Sequence, residues 1–365
     1  MTGSSHEARA LREARWQAWA QHKDWPARLL WPLAQLLAAL SALRRAGYAA
    51  GWLKTDRLPV PVIVIGNVVA GGAGKTPTVM ALVQHLQYRG WRPGVVSSGH
   101  GRAGDALVHV SRASEPSEVG DEPLLIHQTT GAPVCVARRR AEAARALLAL
   151  YPDVDVILCD DGLQHLALGR DLSIAVFDER GIGNGWPLPA GLLRESWPPA
   201  KSDRLRPDML LVQRREGVPA IELDTSDIPR FDAQRRLADE VYNLAGQKTP
   251  LLALRDQALT ALAGIASPGV FFNMLRTRGL TLTQEIQLPD HADAAAYRDG
   301  LTRSPGLLIC TEKDAVKLSS LLADQAPALR QHIWVAPLEL SPEAGFFAAV
   351  DAALDRLGPD RQSSS

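Results

Sequence analysis

Short apolar runs recur along the chain and alternate with longer stretches of helical spacing. Val60, Val62, Ile63, Val64 and Ile65 make the first buried strand, and Thr76 to Arg89 follows as a helix. Arg92 to Arg102 reads as a short strand entering a glycine-rich loop, with further strands at Leu107 to Val110 and Val134 to Ala137. The alanine-rich segment Arg138 to Leu150 reads as a helix, and Val154 to Cys159 as a strand ending in Asp160-Asp161. Leu172 to Phe177 and Met209 to Val212 continue the series. Strands alternating with helices imply a parallel sheet covered on both faces, with ligands at the carboxyl ends of the strands. The pattern weakens from about Arg214 to Gln247. It resumes with Leu259 to Ile265, a helix over Gly269 to Arg278, and strands at Gly306 to Cys310 and His332 to Ala336.

The pattern predicts an α/β fold: a P-loop NTPase-like parallel sheet sandwiched by helices, a second smaller α/β domain, and an N-terminal hydrophobic helix. The expected divisions are an arm over 1–57, a nucleotide-binding core over 58–225 and a smaller domain over 226–365. The Ser-rich tail Gln362 to Ser365 is expected to fray.

The arm has its own chemistry. Its apolar run, Leu29 to Leu40, falls short of the ~20 residues a spanning helix needs even when extended to Leu43. It also lacks the small-residue cleavage site of a secretory signal. Trp16, Trp19, Trp25, Trp31 and Trp52 cluster here, and nine Lys/Arg against four acids give the arm a charge of +5. A helix lying in a membrane interface, with Trp at headgroup depth and Arg toward anionic lipid, accounts for both biases. The competing reading packs the same helix on the protein's own core. Over the whole chain 40 basic and 40 acidic residues cancel, so no overall field argues for nucleic acid. Cys135, Cys159 and Cys310 lie far apart in apolar runs, which predicts reduced core thiols in a cytosolic compartment.

The stretch from Gly66 to Pro77 carries the most chemistry. Asn67 follows the first strand, and Gly71, Gly72, Ala73, Gly74, Lys75, Thr76 and Pro77 lead into the helix. Such a turn cradles phosphate: backbone N–H groups and the helix N-terminus face the anion, Lys75 adds a point charge, and Thr76 can ligate Mg²⁺. The loop departs from a regular Walker A pattern, because Val69 stands where a glycine is usual. Switch ATPases with a similarly tight loop carry a second lysine where this chain has Ala70. Nucleoside triphosphate is the expected ligand.

Acids then fall where a metal site would need them. Asp160 and Asp161 end a buried strand, the position from which P-loop proteins hold Mg²⁺ directly or through water. Gln164 and His165 follow closely. Gly120-Asp121-Glu122-Pro123 places two carboxylates at a glycine turn before a helix, where the dipole alone favours acids and where phosphoryl transfer to an alcohol would use a base. Pro289-Asp290-His291 is a capping or a catalytic feature. Thr311-Glu312-Lys313-Asp314 has Glu312 where guanine-reading motifs require lysine, so GTP is not read from it.

In this order, from the hydrophobic arm near Leu29 to about Leu318, these segments resemble the tetraacyldisaccharide 4′-kinase (lipid A 4′-kinase) family. The carriers are Leu58 to Asn67 leading into Gly71 to Pro77, Gly120 to Pro123, Asp160 to His165, Pro289 to His291 and Thr311 to Val316. The resemblance implies ATP- and Mg²⁺-dependent phosphorylation of the 4′-hydroxyl of a tetraacyl glucosamine disaccharide 1-phosphate. It places the enzyme peripherally on the cytoplasmic face of the bacterial inner membrane, on an anionic surface, with a monomer expected. It also implies that the smaller domain closes over a cleft between the two. By motif, Asp121 would take the hydroxyl proton, paired with His291, while Lys75 and the loop hold the ATP phosphates. Thr76, Glu122, Asp160 and Asp161 would serve Mg²⁺, and Gln164 and His165 would line the site. The family usually has Thr where Val69 stands and Ser-Arg-Gly-Tyr-Gly where this chain has Ser97-Ser98-Gly99-His100-Gly101, which leaves Arg102 as the nearest stand-in for the arginine. The competing reading is a membrane-docked switch ATPase or GTPase of the partitioning or metal-insertion type.

Overall fold

The computed structural model describes residues 20, 22–72, 74–225, 227–304, 306–323 and 327–357. Trp16, Trp19, Ala73 and the Ser-rich tail lie outside the described residues.

The described residues form two sheets. Strands β1 (Val62–Gly66), β2 (Pro93–Ser97), β3 (Val108–Val110), β4 (Val134–Val136), β5 (Val156–Asp160), β6 (Leu172–Phe177), β7 (Met209–Arg215) and β8 (Arg230–Leu237) belong to the larger. Its nine-stranded order is β15-β8-β7-β6-β1-β5-β2-β4-β3, where β15 is Leu338–Pro342. The pairing is parallel except at the two edges, where β15 runs against β8 and β3 against β4. The six-stranded sheet joins β9 (Glu240–Asn243), β10 (Lys248–Pro250), β11 (Leu259–Ala263), β12 (Leu282–Gln287), β13 (Leu307–Cys310) and β14 (Ile333–Val335) in the order β10-β9-β14-β13-β11-β12.

Period-two alternation explains the layering. In β1, Ile63 and Ile65 face the helix Lys75–Tyr88, where Val79, Leu82 and Leu86 meet them, while Val62 and Val64 point to the opposite core with Ala144 and Leu147 of the helix Arg140–Leu150. The smaller sheet likewise sets Leu259, Ala261 and Ala263 against Phe271, Phe272 and Leu275 on one face, and Leu262 against Tyr297 and Leu318 on the other.

Two features depart from the expectations. An expected division at residue 225 assigns β8, β15 and the helix Ala344–Arg356 to the smaller unit. Yet β8 and β15 pair into the larger sheet, and Phe346, Val350 and Leu354 pack in the core with Ile63 and Val79. The chain therefore leaves the larger sheet after β8, builds the smaller one, and returns. The arm's helix, Trp25–Ala49, is 25 residues long, because the residues flanking the apolar run extend it. By length and composition it is sufficient to cross a bilayer. Ala27, Ala34 and Gly47 are its buried positions, whereas Leu29, Leu36, Leu40 and Leu43 are all more than half exposed.

Phe346 is fully buried in the core of the larger sheet. Phe346→Ala is expected to lower unfolding stability by about 3–5 kcal/mol, read from urea denaturation.

Candidate active site

The site lies at the carboxyl ends of β1 and β5. These neighbours pair in register, Ile65 beside Asp160, so the loops that follow leave the sheet side by side.

After β1, Gly74 adopts φ 78° and starts the helix Lys75–Tyr88. That left-handed conformation and the space both demand glycine, since a Cβ would lie 1.9 Å from Gln213 Oε1. Lys75, Thr76 and Pro77 fill the first helical turn, where proline's missing N–H costs nothing. Beneath the loop, buried Asn67 donates to the carbonyls of Val69 and Gly71, and its Oδ1 accepts from Lys75 Nζ at 3.3 Å. Gln213, on β7, donates to the Gly74 carbonyl at 2.8 Å and to Thr78 Oγ1 at 2.6 Å. Asn67 thus shapes the loop from below.

Lys75 Nζ also lies 3.7 Å from Asp161, whose carboxylate accepts from Arg194 at 2.9 and 3.2 Å. Burial would raise the Asp161 pKa, but Lys75, Arg194 and Arg140 hold it below its usual value. Asp161 sits at φ 49°, a left-handed geometry that is uncommon for a residue with a side chain. Asp160 is the opposite case. It is fully buried, and burial, with the charges of Glu122 and Asp161, pushes its pKa well above the carboxylate range despite Lys75. Its Oδ1 has no hydrogen-bond partner among the described residues. A buried, unpaired carboxylate oxygen facing other acids fits a divalent cation. Among the described residues, no group of three or more His, Cys, Asp and Glu side chains forms a metal cage. Mg²⁺ held largely by phosphate oxygens and water requires none.

Across the cleft, the helix Asp121–Thr130 begins with its two acids. Asp121 is buried, and its Oδ2 lies 3.2 Å from His291 Nδ1 and 3.0 Å from Lys317 Nζ. Burial acts to raise its pKa, but the His291 hydrogen bond and the charges of Lys317 and Lys313 outweigh it and hold the carboxyl below its ordinary value. Lys313 lies 3.5 Å from Glu122 and 3.1 Å from Asp290. His291, at φ 57°, comes from the loop after β12, and both lysines come from the helix Glu312–Leu321. The two sheets therefore meet on Asp121 and Glu122. In the Thr311-Glu312-Lys313-Asp314 motif, Asp314 is structural: it caps that helix with Thr311 and accepts from Tyr297 and the Gly264 N–H.

An open cleft of about 410 Å³ adjoins these groups, lined by Ser98, His100, Arg102, Arg138, Arg140 and Asp161 among others. His165 lines it too and is neutral at ordinary pH, because burial and the nearby arginines Arg140, Arg44 and Arg170 lower its pKa to about 4. Arg102 donates to the Ala106 carbonyl, while its Nη2 is buried and unpaired among the described residues. Gln164 has a different task from lining the cleft. Its amide ties the Asn67 carbonyl to Glu195 and accepts from Arg194.

A family model described as tetraacyldisaccharide-1-P 4′-kinase matches residues 26–355. The chain belongs to this family. Tetraacyldisaccharide 4′-kinases from Polaromonas naphthalenivorans and an Acidovorax species are 52% and 50% identical to it over 343 residues, covering 93% of this chain and 94% of each relative. Among solved structures, the "apo" form LpxK from Aquifex aeolicus in complex with ATP matches with a TM-score of 0.75 at 26% identity, covering 90% of this chain and 99% of that one.

Within this kinase family's frame, the departure at Val69 has a packing explanation: the residue is buried and bridges to Leu193. His100, where the family has Tyr, packs edge-on against His291, with ring centroids 5.3 Å apart. Arg140, Arg194, Gln213 and Lys317 belong to no motif in the sequence, and Lys313 stands in the Thr311-Glu312-Lys313-Asp314 segment without a role assigned to it. The signal available for Lys313 and Lys317 was helical spacing, since residues four apart share a face.

Gly74→Ala is expected to weaken binding of a nonhydrolysable ATP analogue by at least about tenfold, because alanine is strained at φ 78° and its Cβ must push aside the loop or the Gln213 amide that holds it. Calorimetric titration measures it.

Proposed function

We propose that this chain transfers the γ-phosphoryl group of ATP to the 4′-hydroxyl of a tetraacyl glucosamine disaccharide 1-phosphate, with Mg²⁺, in lipid A synthesis. The observation that carries the reading is the Asp121–His291 pair, made between the two sheets beside the phosphate loop and Asp160. Bound ATP supplies the phosphoryl group, with Mg²⁺ spreading its developing charge. Lys75 and the loop N–H groups hold the phosphates. Asp160 is the carboxylate we assign to Mg²⁺, with Glu122 near it and Thr76 as the hydroxyl that would complete the set, while Asp161 orients Lys75 and Arg194.

Asp121 takes the hydroxyl proton. His291 and Lys317 both contact Oδ2, which assigns Oδ1 to the incoming hydroxyl, and His291 shares the proton received. The arginine-lined cleft suits the anionic disaccharide, with Arg102, Arg138 and Arg140 facing its phosphate. Nothing favours the switch reading. Position 70 lacks the lysine, its N–H pairs with the Leu192 carbonyl, and Glu312 is engaged by the Leu338 N–H.

The helix Trp25–Ala49 supports a peripheral membrane site on the cytoplasmic face of the inner membrane, where ATP is available. Its small residues pack on the protein, and Arg44 and Arg45 tie its C-terminal end to Gln164, Glu195 and Asp203. A helix fixed along one side and apolar on the other lies in the interface more readily than it spans. We take the working state to be a monomer, with the smaller sheet closing on the cleft.

Asp121→Ala is expected to cut lipid phosphorylation at least ~100-fold while leaving ATP-analogue binding nearly intact, and near-normal turnover would remove Asp121 from this role. Serine at Leu29, Leu36, Leu40 and Leu43 together is expected to reduce sedimentation with anionic vesicles by at least about tenfold. Unchanged sedimentation would leave the helix a packing role alone.

A further inference from the structure

The phosphate loop is held from outside by its carbonyls. Those of Val69 and Gly71 accept from Asn67, and that of Gly74 accepts from Gln213. The remaining two described carbonyls, of Ala70 and Gly72, accept from one side chain, Arg180, through Nη1 and Nη2 at 3.2 Å each. Arg180 belongs to the turn after β6, on the strand flanking β1. Its guanidinium is fixed in turn by Asp178, which Nε approaches at 3.0 Å from both carboxylate oxygens and Nη2 at 2.8 Å. Asp178 is buried and Arg180 is mostly so. The loop passes so close that a Cβ on Gly71, at φ 93°, would sit 2.9 Å from Nη1.

A glycine-rich loop has many conformations to lose on closing around an anion. A carbonyl drawn outward turns the N–H of its own peptide the other way, toward a bound phosphate; the exception is the Ala70 N–H, which pairs with the Leu192 carbonyl. We infer that Arg180, anchored by Asp178, is a positioning residue for nucleotide binding: it fixes the Ala70 and Gly72 carbonyls so that the loop is preformed for ATP phosphates. The planar fork does this work. Asp178 offsets its charge, and a single ammonium nitrogen does not reproduce the spacing of the three guanidinium nitrogens that meet the carboxylate and the two carbonyls.

This inference rests on the kinase reading only for its kinetic arm. The binding arm titrates the full chain with Mg²⁺ and a nonhydrolysable ATP analogue, without lipid. Arg180→Ala and Arg180→Lys are both expected to weaken that binding by about tenfold. In lipid phosphorylation, both are expected to raise KM for ATP equally, with kcat at saturating ATP and KM for the lipid unchanged. Millimolar guanidinium is expected to restore nucleotide affinity to Arg180→Ala, which lost folding would not allow. Asp178→Asn, nearly isosteric, is expected to shift affinity in the same direction. Native affinity in Arg180→Lys would overturn the inference by showing that charge alone suffices. So would native affinity in Asp178→Asn, or a loss confined to kcat. Absence of lipid phosphorylation by the unaltered chain would instead count against the kinase reading and leave the binding result standing.

Discussion

The register between β1 and β5 is the constraint on which the rest depends. Ile65 lies beside Asp160, so the phosphate loop and the acidic turn leave the sheet at one height. Parallel strands can meet this way only through a crossover, and β1 sits where the connections diverge, between β6 and β5. Lys75 near Asp161, and Gln164 bonded to the Asn67 carbonyl, both follow from that juxtaposition. A slip of one residue would turn Val62 and Val64 toward the wrong core and separate the two loops together.

The second level of organisation is electrostatic. Asp121 and Glu122 gain from the positive end of their own helix, yet burial makes unpaired acids costly there. The smaller sheet brings the compensating groups: His291 and Lys317 to Asp121, and Lys313 to Glu122. The contact therefore neutralises charge and brings His291 onto Asp121 at once. A lone larger sheet would leave its acids facing water, and a lone smaller sheet would expose a cluster of cations.

Much of the larger sheet was legible because its central strands are buried on both faces and read as continuous apolar runs, as in Val62–Gly66 and Leu172–Phe177. Strand β8 was hidden. Arg230-Phe231-Asp232-Ala233-Gln234-Arg235-Arg236-Leu237 carries charges on both sides, and those charges find partners such as Glu179 and Glu339 only in three dimensions. Strand β15 is short, carries Glu339 and ends in Pro342, so its pairing with β8 could not be read locally. For the site, glycines and adjacent acids announce themselves by spacing. Arg194, Arg140 and Gln213 do not, because an isolated arginine or glutamine looks the same in a sequence whether it faces solvent or a phosphate loop. The arm's helix is longer than its apolar run, Leu29 to Leu43, because Pro26 fits the first turn and Arg44-Arg45 lie inside the helix instead of ending it.

The return of the chain through β15 has an architectural implication. Leu237 and Leu338 are partners across an antiparallel ladder, so the points where the smaller sheet departs and rejoins stand about 5 Å apart. A short reverse turn would bridge that gap, and the intervening hundred or so residues behave topologically as cargo on a hairpin. Excising them would leave the host sheet continuous but without the imidazole and both ammonium groups that answer its acids. The groups that neutralise Asp121 and Glu122 thus arrive on an insertion between two neighbouring strands, whereas Asp121 itself and the arginine-lined cleft belong to the host sheet.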